Sequence, residues 1–169
     1  MAFNIDFYKN MDQEKKYQCF LRELEEYLKE EKDSLANLCN TASFIGAFFE
    51  NLNWSGFYLY KENQLILGPF CGFPATTRIE IGKGVCGTAF EKRETLVVDN
   101  VCEFPGHITC DVRSKSEVVI PLINGTEVYG VLDIGSSVYN RFSKRDVEIL
   151  EKALEISYKY IDYKKIIGR

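Results

Sequence analysis

Six cysteines and a single histidine are the side chains of this 169-residue chain with the most versatile chemistry. Two of the cysteines sit in settings that favour a thiolate, the form that attacks electrophiles and exchanges with disulfides. Cys86 lies in Gly82-Lys83-Gly84-Val85-Cys86-Gly87, a glycine-rich turn that opens a helix. There the unpaired amides and the positive end of the helix dipole favour negative charge. Cys110 lies in Gly106-His107-Ile108-Thr109-Cys110-Asp111, a polar loop with Arg113 as a cationic neighbour. The plain alternative for each thiol is that of a small hydrophobe without a reaction to perform. Cys19 and Cys39 fall in helix-patterned segments and read as packing residues. Cys71 follows a strand and Cys102 precedes the loop, and spacing alone assigns neither a task.

No C-x-x-C pair occurs, and one histidine, His107, builds neither a zinc finger nor a histidine-rich metal site, so the spacing disfavours a metal enzyme and leaves open a site made of carboxylates alone. His107 reads equally as a proton-transfer group or as a structural loop residue. The glycine-rich turn formally satisfies G-x-G-x-x-G, but the preceding Thr77-Arg78-Ile79-Glu80-Ile81 alternates charged and apolar residues and no long βαβ unit follows. That context argues against a dinucleotide site. Glu117 and Asp133 stand on or beside strands that should be apolar; a buried acid needs a partner, and a ligand's ammonium would serve. Trp54, Tyr58 and Tyr60 share one strand face, as core packing or as an aromatic wall over a ligand.

The elements that must position these groups follow from periodicity. Tyr17, Leu21, Leu24 and Leu28 line one helix face; Leu35, Leu38, Ala42, Ile45, Phe49 and Leu52 line a second, with Ser34 as its cap. Residues 54–60 and 64–70 read as a hairpin around Lys61-Glu62-Asn63. Residues 118–123 and 127–134 form another around Asn124-Gly125. A short helix over 85–92, a strand over 95–98 and a long loop fill the interval between them. A final helix starts at Ser143 with Asp146 completing an acidic capping box and Val147, Leu150, Leu154 and Ile161 as its stripe. Helices at both ends with hairpins between imply an α+β fold: a central, mostly antiparallel sheet with N- and C-terminal helices packed on it. The domain reading is an N-terminal helix over 1–33 and a single domain over 34–169.

Composition limits the partners. A net charge of −4, with basic and acidic residues interspersed, gives no general attraction for nucleic acid or an anionic membrane. No apolar run approaches the roughly 20 residues of a membrane span. A cytoplasmic protein with reduced thiols is expected, because a chain with this much core needs no disulfide framework.

The motifs Asn53-Trp54-Ser55-Gly56-Phe57-Tyr58, Leu67-Gly68-Pro69-Phe70, Gly82 to Gly87, Gly106 to Asp111, Ser116-Glu117 and Gly130-Val131-Leu132-Asp133 occur in this order. Together they resemble the free methionine-(R)-sulfoxide reductases, which are stand-alone GAF domains; the resemblance runs from about Leu35 into the C-terminal helix. It implies that Cys110 is the nucleophile, becoming a sulfenic acid as methionine leaves, and that Cys86 resolves it as a disulfide. It further implies that Trp54 and Tyr58 enclose the methyl and sulfur end of the substrate, while Glu117 and Asp133 engage its polar groups. A thioredoxin or similar dithiol would complete the cycle with no bound cofactor, and the resemblance to GAF domains whose terminal helices pair implies a homodimer. The sequence departs from the family at Thr76, where a third redox cysteine is usual, and at Gly135, where a further carboxylate is usual. The competing reading is a non-catalytic GAF module that binds a small molecule or senses redox state.

Overall fold

The computed structural model describes residues 3–108 and 111–168. After a short 3₁₀ turn, Ile5–Tyr8, come helices α1 (Gln13–Glu30) and α2 (Ser34–Phe48), then strands β1 (Leu52–Lys61), β2 (Gln64–Gly72) and β3 (Arg78–Glu80). Helix α3 (Gly84–Lys92) and strand β4 (Leu96–Val98) lead into a second 3₁₀ turn at Val101–Glu103. Strands β5 (Ser116–Asn124) and β6 (Glu127–Ser136) and helices α4 (Lys144–Tyr160) and α5 (Tyr163–Ile167) complete the chain. The six strands form one sheet in the order β3-β2-β1-β6-β5-β4, and every neighbouring pair is antiparallel.

Strand alternation divides the core in two. Phe57 and Leu59 of β1, Val118 and Ile120 of β5, and Leu132 and Ile134 of β6 face a helical layer, where they meet Phe20, Leu24, Leu38, Ile45, Leu150 and Leu154. Trp54, Tyr58, Val119 and Val131 face the other way, toward Val85, Cys86 and Ala89 of α3. A one-residue slip in β1, β5 or β6 would exchange these two faces, so the dense helical layer on one side fixes what stands on the other. Helix α1 belongs to the same apolar core as α2 and α4, through Tyr17, Phe20, Leu24 and Leu28.

Both expected hairpins form, closing at Lys61↔Gln64 and at Asn124↔Glu127. The capping box at Ser143 and Asp146 forms as well. Several details differ from the periodicity reading. Asp33 caps α2, its carboxylate accepting from the Ala36 amide; Ser34 is the first helical residue, and its hydroxyl accepts from the Asp162 amide. Leu35 is exposed, because it sits in the first turn beyond the edge of the sheet-facing stripe, and Cys39 is exposed beside the buried Leu38. Leu52 begins β1 instead of ending α2. Helix α4 stops at Tyr160, with Ile161 as its C-cap, and α5 was not evident in the sequence because five residues are too short for a periodic signal.

Asp146 ties the two ends of the chain together. It accepts from the Tyr17 hydroxyl of α1 at 2.6 Å, from the Ser143 amide at 2.8 Å and hydroxyl at 2.6 Å, and from Arg141 at 3.2 Å. Burial pushes its carboxyl up, but Ser143, Tyr17 and Arg141 together outweigh that and hold it below the ordinary aspartate value. Burial and the neighbouring Asp146 push the Tyr17 phenol up to about 12, so it stays a donor. Asp146→Ala, which leaves Tyr17, Arg141 and the amide and hydroxyl of the N-cap Ser143 without their acceptor, is expected to destabilise the fold by about 2–4 kcal/mol. Tyr17→Phe, which leaves three donors in place, is expected to cost about 1 kcal/mol. Urea unfolding of the two variants checks the order, and equal losses would contradict it.

Candidate active site

The site grows from three neighbouring strands. In the sheet register Trp54 of β1 is paired with Gly135 of β6, and Gly135 is paired in turn with Glu117 of β5. One step along, Gly56 is paired with Asp133, which is paired with Val119. Trp54, Glu117 and Asp133 therefore project from the same face, with the two acids diagonal neighbours across the β5–β6 pair.

Glycine makes room for this face at two places. A Cβ on Gly56 would stand 2.4 Å from Phe70 Cβ and 2.7 Å from the Trp54 ring, so only glycine lets the indole lie flat along the strand. The indole then stacks between Phe70, with centroids 5.4 Å apart, and Tyr58, at 5.9 Å. At Gly135 a Cβ would meet Ser114 Oγ at 2.8 Å, so the hydroxyl of Ser114 occupies the place a side chain would take.

Two loops roof the face and are pinned by the polar tips of the wall. Trp54 Nε1 donates to the Phe73 carbonyl at 3.1 Å and the Tyr58 hydroxyl to the Thr76 carbonyl at 2.8 Å. Asn53 Nδ2 donates to Ser114 Oγ at 2.9 Å. Arg113 grips the buried Asp111 in a two-pronged ion pair and lies 3.8 Å over the Phe73 ring, which ties one loop to the other. The Arg113 guanidinium holds the Asp111 carboxyl well below the usual carboxylate range.

Beneath the roof Trp54, His107, Ile108, Ser114, Glu117, Asp133 and Gly135 enclose a space of about 10 Å³. That is room for roughly one water. An amino-acid-sized ligand therefore enters only if the roof loops give way. From α3, Cys86 brings its sulfur to within 4.8 Å of carboxylate oxygens of both Glu117 and Asp133, and its thiol is hydrogen-bonded to Asp133. His107 Nε2 lies 3.2 Å from Glu117 Oε2.

The two acids are buried, and a basic side chain that reaches them is His107, 3.2 Å from Glu117. Burial pushes Glu117 up to about 7, and burial together with the negative charge of Glu117 pushes Asp133 well above its ordinary value. The two carboxyls are hydrogen-bonded to each other, and two bare carboxylates this close in a buried pocket repel each other, which favours a proton held between them. Burial lowers the basicity of His107, leaving a neutral ring against the pair.

The structure thus brings together Cys86, Trp54, Tyr58, Glu117 and Asp133. Cys110 lies outside the described residues; Ile108, two positions earlier in the chain, lines the cavity. Cys71 faces α2, its sulfur beside Gly46 on the far side of the sheet, and Cys102 is exposed on a 3₁₀ turn, so neither lines the cavity. The sequence reading left His107 open and did not single out Ser114 or Asn53; Asn53 stood inside a quoted motif, but nothing in Ser114 itself signalled its place.

Residues 31–155 match the family model of the GAF domain. The chain is 41% identical over 145 residues to the free methionine-R-sulfoxide reductase of Escherichia coli, covering 82% of this chain and 86% of that one. It is 38% identical over 171 residues to the enzyme of the same name from Saccharomyces cerevisiae, covering 96% and 95%. The crystal structure of free methionine-R-sulfoxide reductase from Neisseria meningitidis in complex with its substrate superposes with a TM-score of 0.86 at 36% identity, over 94% of this chain and 95% of that one. The chain belongs to the free methionine-(R)-sulfoxide reductase family of GAF domains.

The shared proton has a consequence for stability. Between the ordinary glutamate value of 4.5 and about 7 the folded pair holds protons that the unfolded chain releases, so stability falls as pH rises through that window. Glu117→Gln removes one of the two acids. Since one pKa unit is about 1.4 kcal/mol and 1 kcal/mol moves Tm by about 2–4 °C in a chain of this size, the variant should melt about 3 °C or more above the parent at pH 8. The gap should close by pH 5. Melting curves at both pH values, with a metal chelator present, check this, and a gap independent of pH would contradict the shared proton.

Proposed function

We propose that the protein reduces free methionine-(R)-sulfoxide to methionine, with Cys110 as nucleophile, Cys86 as resolving thiol and a dithiol of the thioredoxin class as reductant. The observation that carries this reading is the meeting, on one face of the sheet, of the Trp54 indole with Tyr58 stacked on it, the buried acids Glu117 and Asp133 that line the cavity with Trp54, and the Cys86 thiol within 4.8 Å of both acids. These features suit the two ends of the substrate. An aromatic wall holds a methyl and sulfur-bearing group, and paired buried acids hold an ammonium that no residue of the pocket supplies. A free amino acid brings that ammonium, whereas a methionine within a peptide has lost it.

The chemistry balances in three steps. The Cys110 sulfur attacks the sulfoxide sulfur, the oxygen passes to cysteine with the thiol proton, and the products are Cys110 sulfenic acid and methionine. The Cys86 thiol then attacks the sulfenic sulfur, forming a disulfide and releasing water. Exchange with an external dithiol returns both thiols and leaves that partner oxidised. Glu117, whose proton affinity is raised by burial and which contacts His107, is placed to give a proton to the sulfoxide oxygen as it is transferred and to be reprotonated by the proton the Cys110 thiol gives up, so that one proton in all ends on the sulfenic acid. The pocket needs no cofactor for these steps.

A cytoplasmic setting belongs to the same proposal, supported by the five described cysteines, which form no disulfide with one another. Among the described residues no helix is long and apolar enough to cross a membrane. Association of two chains is also included, supported by the exposed Phe7 and Met11 near the amino end and checked by sedimentation.

Methionine release from each epimer of free methionine sulfoxide, with dithiothreitol and then thioredoxin as reductant, tests the proposal. The R epimer alone should turn over. Cys110→Ser should abolish the reaction, and Cys86→Ser should release one methionine per chain without reductant and lose thioredoxin-dependent turnover. Undiminished turnover in both variants would overturn the assigned roles. Binding of the R epimer without any turnover by the reduced protein would replace the enzyme with a binding module.

A further inference from the structure

The spacing of cysteine and histidine in the sequence gives no metal site, yet the fold assembles one set of ligands from four separate segments. Cys86 comes from α3, Glu117 from β5, Asp133 from β6 and His107 from the loop before β5. One ligand atom from each of Cys86, Glu117 and Asp133 lies within 4.8 Å of the others, and all three residues are buried. His107 Nε2 stands 3.2 Å from Glu117 Oε2, outside the mutual spacing of the other three, as a fourth donor that has to swing in. With Zn–S near 2.3 Å and Zn–O or Zn–N near 2.0–2.2 Å, the ligand atoms of a tetrahedral zinc site stand about 3.5 Å apart. The Cys86–Glu117–Asp133 group, with every separation at or below 4.8 Å, therefore closes by at most roughly an ångström to meet that geometry.

The geometry points to a zinc-binding site made by Cys86, Glu117, Asp133 and His107, whose occupancy excludes the ammonium of the substrate and caps the resolving thiol. The inference rests on the proposed reductase reading for its consequence, though not for the binding itself.

Charge, donor type and space each favour this cation. A substrate ammonium carries one positive charge, which leaves the second acid of the pair still holding its proton. A divalent ion compensates both acids at once. Thiolate and imidazole are donors that borderline ions such as Zn²⁺ prefer, whereas Mg²⁺ and Ca²⁺ select all-oxygen sets with several waters. The enclosed space of about 10 Å³ suits a dehydrated ion and not a hydrated one. Binding exchanges protons for metal: the Cys86 thiol and the proton shared by Glu117 and Asp133 leave as Zn²⁺ arrives, so affinity rises with pH. Oxidation of Cys86 to a disulfide removes the sulfur ligand. Zinc would then restrain the reduced, resting protein and would be shed once the redox cycle engages Cys86.

Cobalt(II) is the probe, because a thiolate ligand gives it a charge-transfer band and a tetrahedral site gives it intense visible bands. The full chain, reduced, stripped of metal and kept anaerobic, is expected to develop both with one equivalent of Co²⁺, to release protons as it does so, and to lose the bands when Zn²⁺ is added. Cys86→Ser should remove the charge-transfer band. Glu117→Gln and Asp133→Asn, each checked for folding by its melting curve, should weaken Co²⁺ binding about tenfold or more. In the Cys110→Ser variant, which cannot be oxidised by it, saturating methionine-(R)-sulfoxide should compete with Co²⁺.

A charge-transfer band that survives Cys86→Ser, or affinity unchanged by both carboxyl substitutions, would place the metal on other thiols and overturn the site. Bands that behave as expected in a protein without reductase turnover would count against the reductase reading alone. Turnover without the bands would count against the zinc site alone.

Discussion

Two carboxyl groups facing each other in a dry pocket are the constraint around which the molecule is organised. Glu117 and Asp133 would each repel the other if ionised, and burial makes that repulsion costly because little water screens it. The pocket resolves the conflict with a shared proton, set against a neutral His107 and the Cys86 thiol. A cation entering the pocket replaces that proton. The functional proposals here differ in which cation that is: the ammonium of a free amino acid during turnover, or a divalent ion when the protein rests.

Holding such a pair requires a rigid frame, and the helical layer supplies it from the opposite side of the sheet. Phe57, Leu132 and Ile134 are locked among the side chains of α1, α2 and α4, so the strands cannot slip, and Trp54, Glu117 and Asp133 must point the other way. The roof is built differently, from Trp54 and Tyr58 donating to loop carbonyls and from Arg113 stacked on Phe73. Few contacts of that kind hold it, and each is a single hydrogen bond or a half-exposed ring contact. Such a roof can open for a ligand while the floor stays fixed.

Much of this was legible in the sequence, and the reasons are local. The two hairpins carry turn residues beside alternating strands, and the capping box announces α4, so short-range chemistry specified them. Glu117 and Asp133 stood out because acids are rare in apolar strands, and Cys86 because a glycine-rich turn preceded it. What stayed hidden depends on contacts between residues distant in the chain. Ser114 gains its place only because Gly135 lies opposite it, and Cys71, near the motifs in sequence, turns its sulfur to the far face of β2. Likewise, His107 meets Glu117 across a loop whose path no periodicity describes. The metal-ligand set escaped notice for the same reason, since its members come from four segments with no common spacing.

Site-resolved carboxyl titration tests the central claim most directly. In the reduced protein, held metal-free by a chelator and without substrate, ¹³C NMR of the side-chain carboxyls of Glu117 and Asp133 should show no titration in the ordinary acidic range. Glu117 should change near pH 7 and Asp133 well above its usual value, with the two curves shifting together. Both carboxyls titrating near 4, independently of each other, would contradict the shared proton.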